Sequence, residues 1–476
     1  MSTSWRVHSL PWPGDVCAAV RGFAGDDELA WLDSAADRGG VSVLGVSPVG
    51  VVEQRAGAAA RFEIDGRLER TAASAWALWR ATAAALPCRP SLDTRLGPGW
   101  IGFAGFESAA QLERLPASHL HQLNTPLLRF ALFDRVVVLD ESLRTAVGIE
   151  APGMRAALGL TEEPIGAWLA RWRGACTARA DSRDQPAATR RGSAVFETPR
   201  PAFERMVARA LEYIAAGDIY QVNLAHRIRL AGQTDPFAAH AALRAHNPAP
   251  YAAVLRWGAG AVVSASPELF LQCRAGALLT RPIKGTRPRT HDLERDAAHR
   301  AALWRSEKDA AELAMIVDLH RNDLGRVAAP GSVRVENARR IEAHPRVFHT
   351  LADIRATLAA GRAPLDALAA CFPAGSISGA PKIRALQIID ELEPTARGVY
   401  TGAIGALGLD GQMTFSVAIR TVQFVDDDAW LHVGGGIVAD SEPADEYAET
   451  LAKARGILEA LRATDDDAPP TEEPPR

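Results

Sequence analysis

The sequence of 476 residues is poor in cysteine and has no long apolar run. Its five cysteines stand singly, without a CxxC pair, which argues against a disulfide framework and against a zinc ribbon. No stretch approaches the roughly 18 apolar residues of a membrane-spanning helix, and residues 1–16 lack the apolar centre of a signal peptide. We therefore expect a soluble, cytoplasmic protein without a membrane partner.

An excess of positive charge is also absent, since 53 basic residues stand against 57 acidic ones. Nucleic-acid binding requires a basic surface, so we expect no nucleic-acid partner. The glycine-rich phosphate loops GxGxxG and GxxxxGK[ST] do not occur, which leaves a nucleotide site without support. Any anionic ligand must then be held by a local concentration of cations and N–H donors.

Lysine is the scarcest charged residue. Of the 53 basic residues only four are lysine, namely Lys284, Lys308, Lys382 and Lys453. An ammonium can lose its proton, whereas a guanidinium stays charged. In a chain this rich in arginine, a lysine indicates a position where arginine cannot replace it. The alternative is that the lysine is retained by chance.

Short strands, hairpins and helices follow one another in irregular order, which favours an α+β fold over a doubly wound parallel sheet. We predict an N-terminal subdomain at residues 1–175 and a second, catalytic domain at residues 201–462. Residues 176–200, rich in Ser, Thr, Arg, Asp and Pro, are predicted to be an exposed linker. The acidic, proline-rich residues 463–476 are predicted to be disordered.

A predicted hairpin brings a carboxylate and an amine together. If Cys273 pairs with Ala277, Glu268 lies opposite Pro282, and Lys284 then faces the same open end of the hairpin. This arrangement suits general acid–base chemistry beside a nucleophilic amine. A purely structural Lys–Glu pair at a strand end fits the same pattern.

The residues after Lys284 strengthen the chemical interpretation. Gly285 allows the backbone to approach a ligand closely. Arg287 and Arg289 are cations that would lower the pKa of a neighbouring amine. A lysine that is neutral at physiological pH is a nucleophile.

Three charged residues after Pro443 share one face of a predicted helix. Glu446, Glu449 and Lys453 are spaced i, i+3 and i+7. Two carboxylates on adjacent turns would bind Mg²⁺ or Mn²⁺ if Glu312, which lies within an apolar run, supplied a further oxygen. The alternative is an exposed face of ion pairs.

Other residues are candidate anion ligands or catalysts. Gly434, Gly435 and Gly436 follow an apolar strand, where backbone N–H groups could bind a carboxylate; a plain turn is the alternative. Arg420 would add a bidentate contact. The glycine-flanked loop 375–379 before Pro381 is a second candidate anion site.

His349 is a candidate acid or base, or else a buried structural histidine. Residues 318–326 are predicted to be a helix end with a buried salt-bridge network.

Several motifs of the second half, in this order, resemble those of the chorismate-utilising enzymes. That family includes the large subunits of anthranilate synthase and aminodeoxychorismate synthase. The resemblance extends from residue 203 to 461, and more weakly to LDSA (32–35) and GPGWIGFAGFE (97–107). It implies two intertwined subdomains in which large antiparallel β-sheets pack as a sandwich with flanking helices. The motifs are YIAAGDIYQVNLAHR (213–227), SPELF (266–270), PIKGTRPR (282–289), EKDAAELAMIVDLHRNDLGRV (307–327), FPAGSISGAPKIRA (372–385), GVYTGAIG (398–405), FSVAIRT (415–421) and GGGIVADSEPADEYAETLAKA (434–454).

The resemblance implies a role for each candidate. The lysine of PIKGT is typical of aminodeoxychorismate synthases, where anthranilate synthases carry Ala. The resemblance implies that the amine of Lys284 attacks C2 of chorismate and expels the C4 hydroxyl, after which ammonia adds at C4. Glu268 would be the acid–base residue and His349 would lie near the leaving hydroxyl. The resemblance implies Mg²⁺ ligands at Glu312 and Glu449, with Glu446 adjacent. The implied substrate-binding residues are Gly285, Thr286, Tyr400, Arg420, Gly434, Gly435, Gly436 and Lys453.

The same resemblance implies partners and leaves alternatives. Because no Cys-His-Glu amidotransferase module fits in this chain, we expect a separate glutamine amidotransferase subunit, in a heterodimer, to supply ammonia. Ser34, Pro250 and Tyr251 resemble part of the tryptophan pocket of anthranilate synthases. The expected activity is Mg²⁺-dependent amination of chorismate at C4 for 4-aminobenzoate and folate synthesis. The alternatives are an anthranilate synthase large subunit and a non-catalytic subunit that binds chorismate or tryptophan.

Overall fold

A computed structural model describes residues 4–34, 40–90, 96–122, 125–177, 192–232, 235–258, 260–425, 428–461 and 463–465. The α-helices of these residues, in chain order, are α1 (Val16–Arg21), α2 (Ala75–Ala85), α3 (Met154–Ala157), α4 (Ile165–Thr177), α5 (Arg200–Ala215), α6 (Pro236–His246), α7 (Leu293–Arg305), α8 (Glu307–Gly325), α9 (Pro364–Cys371), α10 (Lys382–Leu392) and α11 (Pro443–Ala460). Short 3-10 helices are formed by Phe106–Gln111, Leu120–Gln122 and Gly375–Ile377.

The strands are β1 (Arg6–Leu10), β2 (Glu28–Asp33), β3 (Val41–Val46), β4 (Gly50–Gln54), β5 (Ala60–Ile64), β6 (Arg67–Ala72), β7 (Gly99–Ala104), β8 (Leu128–Phe133), β9 (Arg135–Asp140), β10 (Thr145–Glu150), β11 (Gly192–Phe196), β12 (Gln221–Leu230), β13 (Tyr251–Trp257), β14 (Gly260–Ser266), β15 (Leu269–Arg274), β16 (Ala277–Arg281), β17 (Ile283–Pro288), β18 (Arg334–Ala343), β19 (Val347–Thr357), β20 (Gly379–Ala380), β21 (Ala403–Gly408), β22 (Met413–Val417), β23 (Thr421–Val425), β24 (Asp428–Ile437) and β25 (Ala463–Asp465).

These strands form two large sheets. The first sheet has the order β1-β10-β9-β3-β2-β13-β14-β23-β24-β12-β11-β25, with β20 beside β12. The second has the order β17-β19-β16-β15-β22-β21-β7-β8-β4-β5-β6, with β18 beside β19. Within the described residues all pairings are antiparallel except that of β11 with β25. Both sheets combine strands from the two halves of the chain, which agrees with the predicted α+β class and intertwined halves.

The two sheets pack face to face. Val43 and Ala253 of the first sheet share one hydrophobic cluster with Phe103 and Ile404 of the second. Helices cover the outer faces: α2 contributes Trp79 to the second sheet's cluster, while α6 and α11 pack on the first sheet. Burying one such side chain is worth about 1.5–3 kcal/mol, so this interior is the main source of stability. The predicted sandwich with flanking helices is confirmed.

The structure corrects part of the predicted chain organisation. Gly192–Phe196, which we expected in an exposed linker, form strand β11 and pair with β12. Ala463–Asp465, expected in a disordered tail, form β25 beside β11. The predictions for residues 178–191 and 466–476 concern positions outside the described residues. Among the described helices, none combines the length and apolar content that crossing a membrane requires.

Candidate active site

The backbone around Lys284 is shaped by a β-bulge. In the pairing of β17 with β19, Lys284 lies opposite Thr350 and Thr286 opposite His349, so the register shifts at Gly285. Gly285 has a φ of 78°, and a Cβ there would lie 2.9 Å from Cγ of Asp309. Glycine is therefore required at this position by conformation and by space. The groups that lie close to Gly285 in the structure are protein atoms, and its predicted approach to a ligand stays a prediction.

The predicted hairpin forms with a corrected register at its turn. Cys273 pairs with Leu278, not with Ala277, because the turn has only two residues, both with positive φ. A bulge between Leu269 and Gln272 then restores the register, and Leu269 pairs with Arg281. The open end therefore has the predicted alignment. The one-residue shift at the turn and the opposite one-residue shift at the bulge cancel at this end of the hairpin.

Lys284 lies in a carboxylate environment. Its Nζ is 3.3 Å from Oε2 of Glu312 on α8, and both side chains are largely buried. The positive charge of Lys284 also acts on the carboxyl of Glu268. The predicted proximity of Glu268 and Lys284 is thus found, and Glu312 joins them from α8.

The two arginines after Lys284 have partners of their own. Arg287 pairs with Asp309 at 3.2 Å, and Arg289 pairs with Asp296 at 3.1 Å. Their charges are thereby compensated by acidic side chains on α7 and α8. The expectation that they lower the pKa of a neighbouring amine stays a prediction.

Glu268 is a buried carboxyl with an altered proton affinity. Ser376 Oγ donates a hydrogen bond to its Oε1 at 2.5 Å. Burial raises the pKa of Glu268 to about 7, although Ser376, the charge of Lys284 and the N–H of Ile283 each act to lower it. A carboxyl with a pKa near neutrality can both donate and accept a proton at physiological pH.

His349 is buried and neutral. Its Nδ1 lies 2.9 Å from Oγ1 of Thr286. Burial lowers the pKa of His349 to about 3, with further contributions from the nearby Arg420 and His344. Its Nε2 has no hydrogen-bond partner in the described part of the chain, so one ring nitrogen is available to a ligand.

The three glycines do not form a turn. Gly434, Gly435 and Gly436 lie within β24, where Gly436 pairs with Asn223 of β12. The predicted anion-binding turn is wrong, because these residues belong to the strand ladder. What the glycines provide is space: a Cβ on Gly436 would lie 3.1 Å from Nζ of Lys284, and one on Gly435 would lie 3.0 Å from Oε2 of Glu446.

The predicted metal ligands lie on α8 and α11, each with a polar partner. Glu312 contacts Lys284, Ser441 Oγ donates to Glu446 at 2.5 Å, and Glu449 pairs with Lys453 at 2.7 Å. No group of three metal-ligating side chains is preassembled among the residues that the structure describes.

The charges on these carboxylates nevertheless fit a cation. Burial raises the pKa of Glu446, and the neighbouring charge of Glu449 raises it further. Burial also disfavours ionisation of Glu449, but Lys453, Lys284 and Lys308 lower its pKa overall. Neighbouring carboxylates of this kind form an oxygen donor set that suits a hard ion such as Mg²⁺.

Arg420 and Tyr400 are the remaining predicted binding residues. Arg420 has a positive φ of 51°, and its side chain has no hydrogen bond or ion pair within the described residues. Burial lowers its pKa. Because a desolvated guanidinium without a partner is costly, it is a strong candidate for binding an anion. Tyr400 is buried and stacks on His432 with ring centroids 5.3 Å apart.

Sequence reasoning did not single out Gln221 or Ser376. Gln221 is fully buried, and neither of its amide atoms has a partner in the part of the chain described. A Cβ on Gly436 would lie 2.8 Å from its Nε2, so this amide lies beside Lys284. Ser376 belongs to the loop 375–379, which we predicted to bind an external anion and which instead donates to Glu268. Their place in quoted motifs was the only signal in the sequence.

The possible tryptophan-pocket residues lie elsewhere. Ser34, Pro250 and Tyr251 line one pocket between the two sheets, with Gln272 and Thr414. The structure therefore brings these three residues together, in a pocket that Lys284 does not line. Their binding role stays a prediction.

The chain combines a two-sheet α+β sandwich with a largely buried lysine–carboxylate cluster of Lys284, Glu312 and Glu268. A family model described as chorismate binding enzyme matches residues 29–459, and the chain belongs to this family. The chain is 40% identical over 404 residues to anthranilate synthase component 1 of Thermus thermophilus, covering 84% of this chain and 85% of that one. It is also 40% identical over 365 residues to aminodeoxychorismate synthase component 1 of Klebsiella aerogenes, covering 77% of each.

A solved structure, anthranilate synthase component I from Streptococcus pneumoniae TIGR4, has the same fold. It superimposes with a TM-score of 0.76 at 28% identity, covering 90% of this chain and 93% of that chain. The two named activities among the relatives are matched at equal identity. Overall similarity therefore establishes a chorismate-binding enzyme without distinguishing its reaction.

Proposed function

We propose that this chain is the large subunit of an aminodeoxychorismate synthase, which replaces the C4 hydroxyl of chorismate with an amino group. The observation that carries the proposal is Lys284, whose amine lies beside Glu312 and within the electrostatic reach of Glu268. In the related anthranilate synthases an alanine is typical at this position. A nucleophilic amine is the one chemical group that separates the two activities.

Lys284 acts as the nucleophile in this proposal. Its amine, after losing a proton, forms a bond to C2 of chorismate; both ring double bonds shift by one position and the C4–oxygen bond breaks. The oxygen leaves as water with a proton from Glu268. Ammonia then bonds to C4, the double bonds shift back, and the C2–nitrogen bond breaks to release Lys284. A carboxyl with a pKa of about 7 suits this proton transfer.

The other residues orient the reactants. The absence of side chains at Gly435 and Gly436 lets Glu446 and Lys284 lie close to β24. Arg420 offers an uncompensated guanidinium to one substrate carboxylate. The unpartnered amide of Gln221, adjacent to Lys284, can form hydrogen bonds with ammonia.

Mg²⁺ is part of the proposal. Glu312, Glu446 and Glu449 would hold the ion, which when bound offsets the charge of a substrate carboxylate. Their oxygen-only donor set and the repulsion of Glu446 by Glu449 support this assignment. We further propose that the enzyme works in the cytoplasm with a separate glutamine amidotransferase that supplies ammonia, and that its product leads to 4-aminobenzoate and folate.

The proposal is tested by product analysis. The purified chain is incubated with chorismate, Mg²⁺ and ammonium at high pH, and products are identified by mass spectrometry with fluorescence detection of anthranilate. An amino product that keeps its enolpyruvyl group supports the proposal. Fluorescent anthranilate with release of pyruvate would instead establish an anthranilate synthase, the activity of an equally similar relative. No turnover with ammonium or with glutamine and a glutaminase would favour a non-catalytic binding subunit.

A further inference from the structure

Lys382 connects the two ends of the loop between α9 and α10, residues 372–381. Lys382 Nζ donates a 2.7 Å hydrogen bond to the carbonyl oxygen of Cys371, the last residue of α9. It also donates at 2.7 Å to Oδ2 of Asp323, near the end of α8. Both charged side chains are buried. One ammonium therefore joins the two ends of loop 372–381 and anchors both to α8.

The middle of the same loop contacts Glu268, the proposed acid–base residue. Ser376, midway along the loop, donates to Glu268. The adjacent Gly375 lies so close to α8 that a Cβ would be 2.8 Å from Cγ of Leu319 and 3.1 Å from Cδ2 of His320. The loop is thus held against α8 at its base and at its middle. The position of Ser376 Oγ follows from both contacts.

Stability alone does not account for this buried pair. Desolvating two charges costs about as much free energy as their attraction returns, and apolar side chains of similar volume often serve as well. An ammonium differs from an apolar residue in its directed donors, which fix the carbonyl of Cys371 and the carboxylate of Asp323 relative to each other. The pair is therefore suited to defining a geometry.

We propose that Lys382 and Asp323 are positioning residues: by closing loop 372–381 against α8 they hold Ser376 in hydrogen-bonding contact with Glu268. This inference rests on the proposed role of Glu268 as the proton donor. The charged group that also faces Glu268 is Lys284 of β17, with the N–H of Ile283 on the same strand. Neither is part of the loop, so the contribution of the loop can be measured separately.

The test uses the double variant Lys382→Met with Asp323→Leu in the full chain. Removing both charges together avoids leaving one buried and unpaired, so the variant is expected to fold. Loss of the Ser376 hydrogen bond disfavours the Glu268 carboxylate. We expect its titration, followed by infrared difference spectroscopy against a Glu268→Gln reference, to move up by about one pH unit. We expect kcat to fall about tenfold, with little change in KM for chorismate.

Coupling to Ser376 separates positioning from general destabilisation. Ser376→Ala alone should raise the Glu268 titration by a similar amount, and adding it to the double variant should cause no further shift. Ile388→Val, which trims a buried side chain of α10, should leave the titration in place. An unmoved titration in the double variant, or fully additive shifts, would overturn the inference. Because the infrared measurement needs no turnover, a protein without synthase activity would still test the loop.

Discussion

Lys284 Nζ lies 3.3 Å from the Glu312 carboxylate, and a β-bulge at Gly285 brings it there. The amine comes from an edge strand of the second sheet, while the carboxylate comes from the N-terminal half of α8. Each group is held by a different element and both are largely buried. The pair therefore keeps its geometry without support from a ligand, as a reactive site requires.

Replacing Lys284 distinguishes covalent chemistry from simple charge. Lys284→Arg keeps a cation beside Glu312 but cannot become a neutral nucleophile. We expect both Lys284→Ala and Lys284→Arg to reduce kcat/KM by about a thousandfold or more, because a whole reaction step is lost. Intact-mass spectrometry of enzyme quenched with chorismate should show a covalent adduct only in the unmodified chain. An active Lys284→Ala variant that gives the same product would refute the covalent route.

Glu268 should make stability depend on pH. Its pKa is about 7 in the folded protein, against 4.5 for an ordinary glutamate. The folded state therefore binds the proton more tightly, and stability falls as pH rises from 4.5 through 7. At about 1.4 kcal/mol per unit, the loss approaches about 3 kcal/mol.

Glu268→Gln should remove this dependence. We expect the variant to be more stable than the unmodified chain at pH 8 and similar to it at pH 4.5, as measured by urea unfolding. Ser376→Gly serves as a control that keeps the carboxyl while losing its donor. If the unmodified chain and Glu268→Gln lose stability in parallel between these pH values, the burial argument is incorrect.

Gly285 and Gly276 form a matched pair for steric effects. Their φ values are 78° and 79°, but a Cβ at Gly276 meets no atom within 4 Å, whereas one at Gly285 meets Asp309 and Thr350. Gly276→Ala should cost about 1 kcal/mol through backbone conformation alone. Gly285→Ala should cost about 2–3 kcal/mol and reduce activity, because the bulge that aims Lys284 must move. Equal losses of stability in the two variants, measured by thermal unfolding, would show that the side chains around Gly285 can move to accommodate a Cβ.

Mg²⁺ binding should depend on one face of α11. Glu449→Gln removes a proposed ligand, and we expect the affinity for Mg²⁺, measured by calorimetry with the metal salt alone, to fall about tenfold to a hundredfold. Glu459→Gln removes the same charge from the exposed surface of the same helix, near its C-terminal end. That control should retain the original affinity. Identical affinities in both variants would remove Glu449 from the site.

Much of the local structure was predictable because it follows from short-range pattern. The apolar spacing from Phe203 predicts helix α5, and the runs at Val41–Val46 and Leu269–Cys273 correspond to β3 and β15. The Glu446–Glu449–Lys453 face was predictable for the same reason. The bulges at Gly285 and after Leu269 were not, since a bulge depends on which strands become neighbours and where they must bend.

The order of motifs and the single lysine of the PIKGT segment determined, from sequence alone, the family, the α+β class and the candidates for the site. Only the tertiary structure decided that Ser376 binds Glu268, that Arg287 and Arg289 are compensated by carboxylates, and that the triple glycine is a strand. Proton affinity depends on burial and on neighbours far along the chain. Residue types are local properties, whereas the environment of Glu268 exists only once α8, β17 and the 372–381 loop have packed together.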